Sequence, residues 1–212
     1  MIKISSFIRH ALVGIFLLVS ACSSGQTSEN NEVKRNTAQD PGKILIVYLS
    51  RTNNTRAVAQ MIQEQVGGRL VGLELESPYP EDYRAIVQQV AKENETGYLP
   101  PLKTQVNITK YDVVFVGFPT WGMQLPPPMK SFLSQYDLSS KTVIPFNTNA
   151  GYGIGSSFDK VRELCPLSTV LEGFSVKGGI ERDGILFVME GEKEKEVQSE
   201  VEKWLRKIRM TK

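Results

Sequence analysis

Two stretches of this chain are apolar without alternation: residues 44–49 read ILIVYL and residues 111–118 read YDVVFVGF. A strand with one wet face alternates apolar and polar side chains. An unbroken β-branched and aromatic run marks a strand covered on both faces. Such strands belong to parallel sheets, whose connections must cross back over the sheet, usually as helices. The intervening sequence agrees. Ala57, Val58, Met61 and Ile62 recur at helical spacing, and the spacing predicts a helix over 54–66 that Gly67-Gly68 stops. Further strands are expected at 69–75, 141–146 and 169–176, with a short one at 185–189. Further helices are expected at 81–94, 127–136, 156–164 and 191–210. Strand and helix alternate throughout. That pattern gives an α/β fold, a doubly wound parallel sheet with helices on both faces and right-handed crossovers.

Three of the expected strands end in unusual loops. After 44–49 come Ser50, Arg51, Thr52, Asn53, Asn54 and Thr55, nearly all hydroxyl or amide. A strand–turn–helix of this kind aims backbone N–H groups and the positive end of a helix dipole at one point, where an anion such as a phosphate can sit. The same residues also suit an ordinary capped connection. Arg51 is equally suited to a phosphate contact or to solvent. No lysine follows the loop and G-x-x-x-x-G-K is absent, which points away from nucleotide hydrolysis. After 111–118 come Pro119, Thr120, Trp121, Gly122 and Met123. After 141–146 come Asn147, Thr148, Asn149, Ala150, Gly151, Tyr152 and Gly153. Trp121 can stack on a flat ring or fill a core or contact position, and Tyr152 can stack or merely cover its loop. The excursion 77–107, with Tyr79, Tyr98 and Pro100-Pro101, is long enough to wall a pocket.

The first 21 residues carry Lys3 and Arg9 ahead of an apolar core at 11–19, and contain no acid. This is the pattern of a secretory signal, too short to span a bilayer as a stable helix. Val19-Ser20-Ala21-Cys22 resembles the lipobox of bacterial lipoproteins, which implies cleavage before Cys22 and lipid on that residue. Residues 22–41 then read as lipidated cysteine and flexible tether, and 42–212 as one domain. The 25 basic residues include Lys3 and Arg9; without them, 23 face 23 acidic residues. A formally neutral chain with no basic stripe selects no nucleic acid. The one histidine, His10, lies in the expected signal. The domain therefore offers no histidine-based catalytic pair and no histidine metal ligand. Cys165, before Pro166, reads as a buried helix-end residue.

Taken in order, the three loops resemble those of the flavodoxin family. The resemblance spans residue 43 to the C-terminus. It implies a five-stranded sheet of order 2-1-3-4-5 and bound FMN (flavin mononucleotide). Residues 50–55 resemble the phosphate loop, although the family favours a smaller residue where Asn53 stands. Thr120-Trp121-Gly122 resembles the second flavin loop. There the aromatic stacks on the ring and the glycine peptide can turn over when flavin N5 gains a proton. Residues 147–153 resemble the loop at the pyrimidine edge, with Tyr152 on the other ring face. Met123 stands where acidic carriers often have an acid, so a less negative reduction potential is expected. The implied function is redox: a lipid-anchored protein outside the cytoplasmic membrane, on the inner or outer membrane, passing electrons through FMN. Its partner would be a redox protein or a small quinone-like acceptor. The alternatives are an FMN-dependent NAD(P)H or quinone oxidoreductase, and a cofactor-free binding module on the same fold.

Overall fold

The structure is a computed structural model that describes residues 40–211. The expected signal, Cys22 and nearly all of the tether lie outside the described residues. Strands β1 (Ile44–Tyr48), β2 (Arg69–Gly72), β3 (Val113–Pro119) and β4 (Thr142–Asn149) are joined by helices α1 (Asn54–Val66), α2 (Tyr83–Thr96) and α3 (Pro127–Gln135). Helix α4 (Ser157–Leu164), strands β5 (Thr169–Val170) and β6 (Phe174–Lys177), and helix α5 (Gly191–Lys207) complete the chain. Every named pairing is parallel and the order is β2-β1-β3-β4-β5, with β6 also on β4.

The unbroken apolar runs become the two central strands. Successive side chains of a strand point to opposite faces, and here both faces are covered. Leu45 and Val47 join one cluster with Val114, Val116, Met129 of α3 and Val161 of α4. Ile44 and Ile46 join another with Phe115, Ile62 of α1 and Val201 of α5. The central sheet is close-packed across strands. At Gly117 an added Cβ would lie 2.0 Å from Cζ of Phe146 on β4, so only glycine fits.

Three sequence expectations change. The edge strand expected at 169–176 is split, because four steps from Val170 to Phe174 face only three from Val143 to Phe146. The extra residue is a bulge beside Gly173, where the Phe158 ring occupies the place of a Cβ. The short strand expected at 185–189 is not formed. Only Ile180 and Ile185 bridge, and residues 186–188 are held by a side chain of α1 instead. The strand expected at 141–146 runs on to Asn149, which moves Asn147 and Thr148 into the sheet. Cys165 caps α4 as a buried residue, and burial pushes its thiol up to about 11. Among the described residues, no helix is long and apolar enough to cross a membrane.

Candidate functional site

In an open parallel sheet, ligands sit beyond the carboxyl ends of the strands, where the order reverses. Here β1 and β3 lie at the reversal, and a cleft of about 780 Å³ opens there. All the predicted site residues of the domain line it except Ser50, Asn53, Asn147 and Gly151.

The loop after β1 turns into α1 through Asn53, whose φ of 62° lies in the left-handed region. Asparagine tolerates that conformation better than most side chains, which explains a residue larger than the family norm. The side chains of this loop are spent internally. Ser50 Oγ accepts from Arg56 N at 3.2 Å. Buried Asn54 donates to Thr52 Oγ1 (2.8 Å) and to the Leu186 carbonyl (2.6 Å), and accepts from Val188 N (3.1 Å). Thr55 and Thr148 share a buried hydroxyl contact at 2.8 Å. The backbone is the reverse. Among the described residues, the peptide N–H groups of residues 51–55 have no protein acceptor; Arg56 and Ala57 are the first to find one.

Arg51 lines the cleft but is committed elsewhere. Its Nε meets Glu181 at 2.6 Å, Nη1 donates to the Pro80 carbonyl at 2.9 Å, and Nη2 donates to that of Glu81. It therefore ties the first loop to two distant segments, the start of the 77–107 excursion and the strap at 178–184.

The loop after β3 is a tight turn. Trp121 and Gln124 bridge through their backbones, with Gly122 at φ 57° and Met123 at φ 60°. Two consecutive left-handed residues define a type I′ turn, for which glycine is well suited and methionine is strained. The Met123 carbonyl accepts from Ser156 N at 3.0 Å, and an added Cβ at Gly155 would lie 2.0 Å from it. The Trp121 ring is met edge-on by Tyr79 at 5.5 Å and 86°. Tyr79 in turn donates to the buried Glu93 carboxyl at 2.5 Å. Burial, then that hydrogen bond, hold the Tyr79 phenol well above its ordinary pKa, so it stays a donor.

The loop after β4 is closed on itself. Asn149 Oδ1 accepts from the N–H groups of Gly151 (2.8 Å) and Gly153 (3.1 Å). Asn147, fully buried, donates to the Phe118 carbonyl and to Thr120 Oγ1, and Thr120 donates to the Gly153 carbonyl. The second and third loops are thus fixed to each other. Tyr152 stands 65% exposed at the rim, its hydroxyl 3.4 Å from Arg182 of the strap.

Sequence reasoning missed one wall of the cleft and anticipated another. The missed one is the strap, whose residues from Gly178 to Arg182 all line the cleft. Gly178-Gly179 was its signal, since at Gly179 an added Cβ would lie 2.3 Å from the Ile185 carbonyl. The anticipated one is α2, which lies inside the 77–107 excursion expected to wall a pocket. It is in part a wall of the cleft, with Tyr83, Val87 and Ala91 on it.

Open backbone donors, an aromatic turn and a cleft at a strand-order reversal define a class: doubly wound α/β proteins with a ligand site at the carboxyl edge of the sheet. A family model for flavodoxin matches residues 43–190. The chain belongs to the flavodoxin family. Among solved structures, it is similar to a candidate flavoprotein of Bacteroides eggerthii, at 28% identity and TM-score 0.63 over 78% of this chain and 97% of that one. It is also similar to a candidate flavoprotein of Bacteroides uniformis, at 22% identity and TM-score 0.64 over 79% and 99%. A Lactobacillus acidophilus flavoprotein solved in complex with FMN shares the fold at 20% identity and TM-score 0.57, over 68% and 98%. No curated protein matches the chain in sequence.

Proposed function

We propose that this protein binds FMN in the cleft and works as a redox protein. The observation that carries the reading is the run of N–H groups at residues 51–55 without a protein acceptor among the described residues, at a helix start where Arg51, Thr52, Asn54 and Thr55 line the cleft that Trp121 also lines. Neutral donors of this number suit a phosphate monoester. Bound FMN would supply one- or two-electron chemistry that no side chain here can perform. The protein's part is to hold it. The N–H groups of the first loop and the Thr52 hydroxyl take the phosphate. Trp121, braced by Tyr79, offers a ring face, and the Asn149-capped loop offers a rigid edge. The strap, tied to the first loop by Arg51 and to Tyr152 by Arg182, borders the cleft beside the first loop.

Titration of the purified protein with FMN and riboflavin, followed by flavin fluorescence, tests this. FMN is expected to bind at least about a hundredfold tighter than riboflavin, the phosphate contributing roughly 3 kcal/mol of charge-assisted hydrogen bonds. Absence of flavin binding would sink the reading. The apolar α2 side chains that line the cleft, Val87 and Val90 among them, would suit a small acceptor, and that wall favours an oxidoreductase acting on small molecules over a pure carrier between proteins. We further propose lipid attachment at Cys22 and display outside the cytoplasmic membrane. Metabolic labelling with an alkynyl fatty acid should mark the protein and spare the Cys22→Ser variant.

A further inference from the structure

The α2 end of the cleft is not needed for a phosphate or for ring stacking on Trp121, yet it has a definite chemistry. Val87, Val90, Ala91 and Asn94 follow at helical spacing and line it. Val87 is 48% exposed, an apolar side chain on a wall rather than in the core. Past this stripe stand two carboxamides, Asn94 on α2 and Gln124 at the end of the Trp121 turn, both lining the cleft. Lys130 of α3 donates to both, at 2.8 Å to Asn94 Oδ1 and 3.4 Å to Gln124 Oε1. An ammonium has donors only, so it fixes which side of each amide faces it. The two NH₂ groups are turned away from Lys130, and among the described residues neither has a protein acceptor. Glu95 also lines this cleft, and its carboxylate disfavours an anion.

We propose that the α2 end binds a small, neutral, planar aromatic molecule bearing a carbonyl oxygen. Its ring lies against Val87, Val90 and Ala91, and its carbonyl accepts from the NH₂ groups of Asn94 and Gln124. Lys130 is a positioning residue that sets the amide orientation. The proposal rests on the flavin reading of the same cleft and names the class of small molecule that would share it with FMN. Recognition by these half-buried donors is selective, since a ligand without an acceptor leaves both amides unpaired.

The test is equilibrium dialysis of two probes against the FMN-saturated protein. These are 2,3-dimethyl-1,4-naphthoquinone, whose substituted ring carbons resist thiol addition, and 2,3-dimethylnaphthalene, which lacks the carbonyls. The quinone is expected to bind at least about tenfold tighter than the hydrocarbon. Asn94→Leu and Lys130→Met should each bring that ratio close to one while FMN affinity stays unchanged, and Lys130→Arg should keep most of it. Equal binding of the two probes, no binding, or a ratio that survives Asn94→Leu would overturn the proposal. So would displacement of the quinone by FMN, which would place the probe in the flavin's own position. If the variants do not fold, the two-probe comparison on the native protein decides alone. Should the protein take no FMN at all, the flavin reading fails separately, and the same probes on the flavin-free protein still decide the α2 end.

Discussion

The turn after β1 and the turn after β4 stand at the same edge of the sheet, the first rich in Asn and Thr and the second entered through Asn147, Thr148 and Asn149 at the end of β4, yet they spend their hydrogen bonds in opposite ways. In the first, side chains bond to one another and to residues 186–188, while the N–H groups of residues 51–55 stay open. In the second, Asn149 turns its carboxamide inward and closes the N–H groups of Gly151 and Gly153. An unpaired backbone donor is costly unless water or a ligand meets it. On the flavin reading proposed above, the first turn is the receptor, and the second is a finished rim that fixes where the receptor's ligand ends.

A negative charge should separate the two turns most sharply. Thr52→Asp places a carboxylate beside the open donors. A like charge about 5 Å from a phosphate at an effective dielectric near 20 costs roughly 3 kcal/mol. FMN should weaken about a hundredfold and riboflavin hardly at all. Asn149→Asp should weaken both flavins by a similar, smaller factor. If the FMN-to-riboflavin ratio moves equally in the two variants, the contrast between receptor and rim is wrong.

Stability comes next. Asn54→Ala removes three hydrogen bonds, one to Thr52 and two that join the first turn to Leu186 and Val188, and at about 1 kcal/mol each it should cost roughly 3 kcal/mol in urea unfolding. Asn149→Ala should cost about 1–2 kcal/mol and speed exchange of the Gly151 and Gly153 amides. A larger loss for Asn149 than for Asn54 would invert the picture.

Arg51 gives the smallest and most discriminating effect. Its partner Glu181 and its own side chain are about one-fifth exposed, so Arg51→Ala should cost only about 1 kcal/mol. It should release the strap to faster hydrogen exchange and weaken FMN and riboflavin by the same factor. A loss confined to FMN would show that the guanidinium reaches the phosphate instead of serving the strap.

Much of this was legible in the chain. The unbroken runs at 44–49 and 111–118 dictated a parallel sheet covered twice, and the two core clusters follow from them side chain by side chain. The three loops were legible because each follows a strand directly and its residue types are local. The strap was not. Asn54 meets Leu186 and Arg51 meets Glu181 across some 130 positions, and no periodicity records such a pairing. The stretch 185–189 looked like a strand because it is apolar, but the edge beside β4 was already taken by β5 and β6. The length of the 77–107 excursion suggested a pocket wall, but not which residues of α2 would line it, because amphipathicity does not say whether a helix stripe meets a sheet or a cavity.

The sequence by itself determined the order of strands and helices, the covered sheet and the chemistry of the loops, because these depend on residues a few positions apart. Tertiary structure alone decided which donors stay open, that Arg51 turns to the strap, and that Lys130 of α3 meets the amide oxygens of Asn94 and Gln124. Each of these depends on what an unrelated part of the chain brings within 3 Å or so of a polar atom, and hydrogen bonding is short-ranged enough for that to decide its role.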